Sequence, residues 1–89
     1  MRINGIMCRE DLGSLAERVK WAREVRRMSR EDLAEASGLS LSSIKRLESG
    51  QTKNPKGSAI VGLEDALGCD FTWLIHGGSG YILPVWGKA

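Results

Sequence analysis

Ten of the chain's thirteen lysine and arginine side chains fall between Ser14 and Lys56: Arg18, Lys20, Arg23, Arg26, Arg27, Arg30, Lys45, Arg46, Lys53 and Lys56. Six acids share that segment (Glu17, Glu24, Glu31, Asp32, Glu35 and Glu48), so it carries +4, while the rest of the 89 residues carries −2. Cations gathered in one stretch form a surface suited to a polyanionic partner, and the overall charge of +2 conceals it. Other chemistries lack their residues. His76 is the only histidine, and no Ser, Cys or carboxylate constellation accompanies it as a catalytic base. Cys8 and Cys69 stand far apart without CxxC spacing, so neither a zinc site nor a functional disulfide is expected. Nothing supplies a nucleophile with its base, a metal site or a phosphate-cradling loop. The chain is therefore not expected to be an enzyme, and no cofactor, metal or small-molecule ligand is expected.

A second pattern is steric. Counted from Arg30, Ala34 stands fifth, Gly38 ninth, Ile44 fifteenth and Leu47 eighteenth. Two helices that cross steeply need a small residue where they approach, which is Ala34. The tight turn between them needs a residue that tolerates positive φ, which is Gly38. Ile44 and Leu47 then clamp the second helix onto the first. This is the spacing of a helix-turn-helix, whereas a plain helical hairpin needs neither that glycine nor a basic second helix.

The elements that must hold this pair are legible in the apolar spacing. Leu15, Val19, Ala22 and Val25 recur at steps of three and four, predicting a helix from Leu15 to about Arg27. Ser14 is its N-cap, with Glu17 completing a capping box. Ser29 caps a short helix carrying Leu33, Ala34 and Ala36, and Gly38 stops it. Ser40 caps the next, with Ile44 and Leu47 inward and Gly50 at its end. Gln51 to Gly57, containing Asn54-Pro55, reads as a loop. A fourth helix is predicted from Ser58 to Leu67, and a fifth from Asp70 to Ile75, presenting Phe71 and Leu74 inward with Trp73 beside them. The expected fold is all-α, a compact five-helix bundle spanning residues 14–77, with an N-terminal arm over 1–13 and a flexible linker and apolar tail over 78–89. The uncharged stretch from Phe71 to Gly87 is broken by glycines and Pro84 and is not a spanning helix. No secretory signal is visible, so a cytoplasmic protein is expected.

Three pieces of the chain, SLAERVKWAREVRR, SREDLAEASGLSLSSIKRLESGQTKNP and LEDALGCDFTWLIHG, run from Ser14 to Gly77. They contain LAxxxGLSxxxIxxLExG, a GxTKxP loop and an ALGxxxxWL ending. In these the sequence resembles the DNA-binding domain of the lambdoid phage repressor and Cro proteins, in the broader XRE-type helix-turn-helix family. The resemblance implies a homodimer that binds a pseudo-palindromic operator in double-stranded DNA and represses or switches transcription. The helix of Leu41 to Ser49 would lie in the major groove, with Leu41, Ser42, Ser43, Lys45, Arg46 and Ser49 outward as candidates for base and phosphate contact. Ser42 and Arg46 would reach base edges. Arg30, Lys53, Asn54 and Lys56 would meet phosphates, and the basic Arg23 joins the DNA-binding candidates. Two positions depart from the family, which commonly has Gln where this chain has Arg30 and Leu41. Leucine offers only apolar contact to a thymine methyl or a sugar.

The resemblance implies further roles. Arg23 and Glu48 would form a partly buried salt bridge between the first helix and the end of the recognition helix. Trp73, Ile75 and His76 would meet a second copy across a two-fold axis. An antitoxin or restriction controller of the same fold is the alternative, and a protein-interaction module is another. The LPVWGKA tail is similar to the segment leading into the self-cleaving domain of larger repressors, so the chain could be a portion of such a protein.

Overall fold

The Ser14 hydroxyl accepts from the Glu17 amide at 3.2 Å, and the Glu17 carboxylate accepts from the Gly13 amide at 3.0 Å. The Glu17 amide, which a helix start leaves orphaned, is thereby satisfied; the carboxylate takes the Gly13 amide in place of the Ser14 amide of the expected capping box, and the first helix begins at Leu15. The computed structural model describes residues 6–7, 11–52, 54–69, 71–78 and 81–82. Two-residue strand β1 (Ile6–Met7) precedes helices α1 (Leu15–Val25), α2 (Arg30–Ser37), α3 (Leu41–Ser49), α4 (Gly57–Leu67) and α5 (Phe71–His76), and strand β2 (Tyr81–Ile82) follows. The five-helix, all-α architecture is the expected one. The short antiparallel pairing, Ile6 opposite Ile82 and Met7 opposite Tyr81, is an addition. Two residues per strand are too few for alternation to announce them. Cys8, the Phe71 side chain and residues 83–89 of the apolar tail lie outside the described residues.

Helix α1 stops at Val25, two residues before the predicted end. Arg27 takes the left-handed conformation at φ 58°, and the Met28 amide turns back to the Arg23 carbonyl at 3.0 Å. A helix end is easier to read where glycine takes that conformation, because a side chain there is strained. Gly38 does so at φ 79° after α2, where it was expected. That helix opens with a full capping box: the Ser29 hydroxyl accepts from the Asp32 amide at 2.9 Å, and the Asp32 carboxylate accepts from the Ser29 amide at 3.0 Å. Ser40 caps α3 by accepting from the Ser43 amide. Helix α4 starts one residue early, at Gly57, with no side-chain cap from Lys56.

Each helix sends its apolar stripe to one core. Val19 and Ala22 come from α1, Leu33 from α2, Ile44 and Leu47 from α3, Leu63 and Leu67 from α4, and Trp73 and Leu74 from α5. Trp21 meets Trp73 edge to face with ring centroids 5.7 Å apart. Cys69 is buried with this cluster, and Ala34 packs half-buried against it. Ile44 and Leu47 thus clamp α3 from beneath, which leaves its other face to solvent.

One cation belongs to the interior. Arg18 is only 5% exposed. Its Nε donates to the Leu74 carbonyl at 2.8 Å, Nη2 to that of Ile75 at 2.9 Å and Nη1 to that of Leu12 at 2.8 Å. Burial lowers the pKa of its guanidinium, and neighbouring Glu17 opposes the shift. Arg18 therefore staples the end of α5 to α1.

Candidate nucleic-acid interface

With Ile44 and Leu47 turned inward, helical geometry leaves Ser42, Lys45, Arg46 and Ser49 exposed on the opposite face of α3. Leu41 and Ser43 are half-buried at its start. The Ser43 hydroxyl accepts from the Ser40 hydroxyl at 3.0 Å, and Arg46 Nη2 approaches it at 3.5 Å. Ser49 donates its hydroxyl to the Arg46 carbonyl one turn back, at 3.1 Å. Ser42 and Lys45 stand on the open face.

The loop after α3 is tied to it. Amides of Gln51 and Thr52 both donate to the Arg46 carbonyl, at 3.0 and 3.3 Å, closing the C-terminal turn. The chain then passes Asn54 and Lys56, both exposed. Between the loop, the start of α4 and α3 lies an open groove of about 290 Å³, lined in part by Ser43, Arg46, Thr52, Lys56 and Ser58. Cations and hydroxyls on its rim match the acceptors of a phosphodiester backbone. Lys53 lies outside the described residues. Thr52, the threonine of the GxTKxP loop, was not among the candidate contacts but lines this groove.

Glu48 is at the centre of the charge arrangement behind this face. Arg23 donates from Nε to Glu48 Oε2 at 2.6 Å and from Nη2 to Oε1 at 3.1 Å. Its Nη1 donates to the Met28 carbonyl at 2.8 Å. The hydrogen bond to Glu48 raises the pKa of Arg23, against the opposing effect of burial. Arg23 is thus engaged on the inside, 10% exposed at its side chain. The guanidinium joins α1 to α3 and to the turn before α2, and its pairing with Glu48 is the bridge that the resemblance implies. Arg30 approaches the same carboxylate from the solvent side, with Nε 3.2 Å from Oε1. Its side chain is 46% exposed against 4% for Glu48.

The far end of the molecule requires a correction. Trp73, expected at a dimer contact, is 0% exposed in the single chain. The small bundle needs its largest side chain to fill the space between α1 and α5, so its ring offers no surface to a partner. Ile75 is half-buried and His76 exposed. Among the described residues, no helix is long and apolar enough to cross a membrane, and no group of three His, Cys, Asp or Glu side chains could hold a metal ion.

The family model for the helix-turn-helix matches residues 19–74. Among solved structures, the P22 c2 repressor protein in complex with a synthetic operator is similar at a TM-score of 0.70 and 25% identity, over 75% of this chain and 100% of that one. The restriction-modification controller protein C.AhdI from Aeromonas hydrophila is similar at 0.64 and 33%, over 72% of this chain and 96% of the controller. The N-terminal DNA-binding domain of SinR from Bacillus subtilis shares the fold at 0.66 and 23%, over 68% and 88% of the two chains.

Proposed function

Since this chain belongs to the XRE-type helix-turn-helix family and is a DNA-binding regulator of transcription, we propose that it binds a pseudo-palindromic operator as a homodimer, in the manner of a phage or prophage repressor. The observation that carries the reading is the face of α3: Ser42, Lys45 and Arg46 exposed together, beside a cation-rimmed groove, on a helix clamped from beneath by two buried apolar residues. In this reading α3 lies in the major groove. Ser42 and Arg46 read base edges, and Arg46 suits the paired acceptors of guanine. Arg30, Ser43, Lys45, Ser49, Lys53, Asn54 and Lys56 serve phosphates, and Leu41 gives apolar contact. Ile75 and His76 meet the second copy, placing two recognition helices about 34 Å apart in successive grooves. Support for the phage reading comes from the P22 c2 repressor, a structure that holds synthetic operator.

A second reading, a restriction controller, draws on the greater identity to C.AhdI, 33% over nearly its whole length. A gene pair for endonuclease and methyltransferase beside this one would favour it. Both readings make the same biochemical test. Randomised duplex DNA is selected on the protein at two salt concentrations and sequenced. A palindrome with half-sites one helical turn apart, and affinity that falls steeply with salt, is the expected result. Recovery of no motif overturns the operator reading, and a salt-insensitive affinity points to a protein-interaction module.

A further inference from the structure

We propose that Glu48 is a positioning residue for DNA binding, holding Arg30 so that its guanidinium meets a phosphate at the start of α2. This rests on the operator reading above. The carboxylate is 4% exposed and would be a liability behind a surface that meets a polyanion, unless its charge is cancelled. Arg23 cancels it with two hydrogen bonds from the inside. Arg30 adds a third, through Nε alone. Two cations therefore share one anion, and the outer cation keeps its positive charge at the surface. Nε lies on one edge of the guanidinium, so holding it on Glu48 anchors that edge and restricts the directions in which the terminal amines can donate. The exposure of Arg30, 46% at the side chain, leaves that group open to a partner. The chain thus joins an interior bridge to a surface cation through one carboxylate.

The sign of the effect separates this role from simple electrostatics. Removing a negative charge near DNA should strengthen binding, whereas removing a positioning group should weaken it. The unsubstituted 89-residue chain and its Glu48→Gln, Arg30→Gln, Arg30→Lys and double Glu48→Gln/Arg30→Gln variants are titrated against the selected duplex over a salt series. Thermal midpoints are recorded alongside. Arg30→Gln should lower the salt exponent by about 0.9, the value of one phosphate contact. Glu48→Gln should lose affinity, about tenfold, as one charge-assisted hydrogen bond implies. In the double variant the second substitution should add little. Arg30→Lys keeps the charge but has no Nε edge to rest on Glu48, and should lose nearly as much as Arg30→Gln. Affinity raised by Glu48→Gln, or retained in Arg30→Lys, overturns the proposal. Because Arg30 is at the surface, its two variants can overturn the proposal even if Glu48→Gln fails to fold. A wild-type protein without salt-dependent duplex affinity overturns the operator reading and this role with it. Steep wild-type salt dependence with Arg30→Gln unchanged overturns this role alone.

Discussion

Gly62 of α4 lies over the backbone carbonyl of Ser37 at the end of α2, so closely that a Cβ on residue 62 would come within 2.3 Å of that oxygen. A backbone atom cannot swing aside as a side-chain tip does. In most helix interiors Gly→Ala stabilises by about 1 kcal/mol. Here overpacking of roughly 1–3 kcal/mol should dominate as α2 and α4 are forced apart. Gly62→Ala is therefore expected to lower the denaturation midpoint in urea, and an increase would show that the two helices can separate without cost. Since α2 supports α3, DNA affinity should fall with it.

Arg18 gives a different kind of prediction. Its three donors serve carbonyls of Leu12, Leu74 and Ile75, and Gly77 packs against its guanidinium so closely that a Cβ would lie 2.9 Å from Nη1. Arg18→Met keeps the aliphatic stem and removes the donors. A loss of about 3 kcal/mol is expected from buried carbonyls left without partners. Hydrogen exchange should localise it: amides of α5 lose protection before those of α2 and α3. Uniform loss across the helices would mean that Arg18 supports the whole core rather than the end of α5.

Much of this arrangement was legible in the residues, and the exceptions have a common cause. Ser14, Ser29, Ser40, Gly38 and Gly50 act through the local backbone, so their spacing alone marked the helix ends. Ile44 and Leu47 repeat on one helical face and could be read as clamps. Arg18 and Gly62 act through long-range contacts, and so does Arg23, whose bridge to Glu48 was legible only through the family resemblance. A buried arginine and a surface arginine are the same letter, and only the packing of α1 against α5 and α3 separates Arg18 and Arg23 from exposed Lys20. Trp73 was misplaced for the same reason, since its position on a short helix does not say which side the rest of the bundle occupies.

The bridge between Arg23 and Glu48 is expected to matter to stability mainly when broken from one side. Glu48→Ala leaves Arg23, 10% exposed at its side chain, without its carboxylate. The expected cost is on the order of 3 kcal/mol, because a buried charge loses its partner. Replacing both residues, Arg23→Met with Glu48→Leu, should recover most of that loss. Chemical denaturation of the three variants checks it. An unchanged midpoint for Glu48→Ala would show that the Met28 carbonyl and solvent satisfy Arg23 equally well.

Base reading and backbone contact should separate within α3. Arg46→Ala is expected to cost about 1–3 kcal/mol on the selected duplex and to relax the preference at one base pair in each half-site. Lys45→Ala should weaken binding to all sequences alike and lower the salt exponent by about one. Repeating the selection with each variant reads both effects. The same pattern from both substitutions would mean that the two side chains share a single role.

Leu41 allows the finest test, because its only chemistry is apolar contact. It sits half-buried at the first turn of α3, where a helix entering the major groove brings its leading residues nearest the base edges. A thymine there presents a methyl group, and uracil differs from thymine by that methyl alone. Replacing thymines by uracil one at a time in the selected operator should reveal one position in each half-site where wild type loses affinity, by about 1 kcal/mol for a buried methyl. Leu41→Ala should bind the thymine duplex more weakly and be indifferent to the replacement at that position. If both proteins lose the same amount there, the methyl packs on another side chain. If neither loses any at any position, Leu41 rests on the sugar edge and contributes affinity without reading sequence.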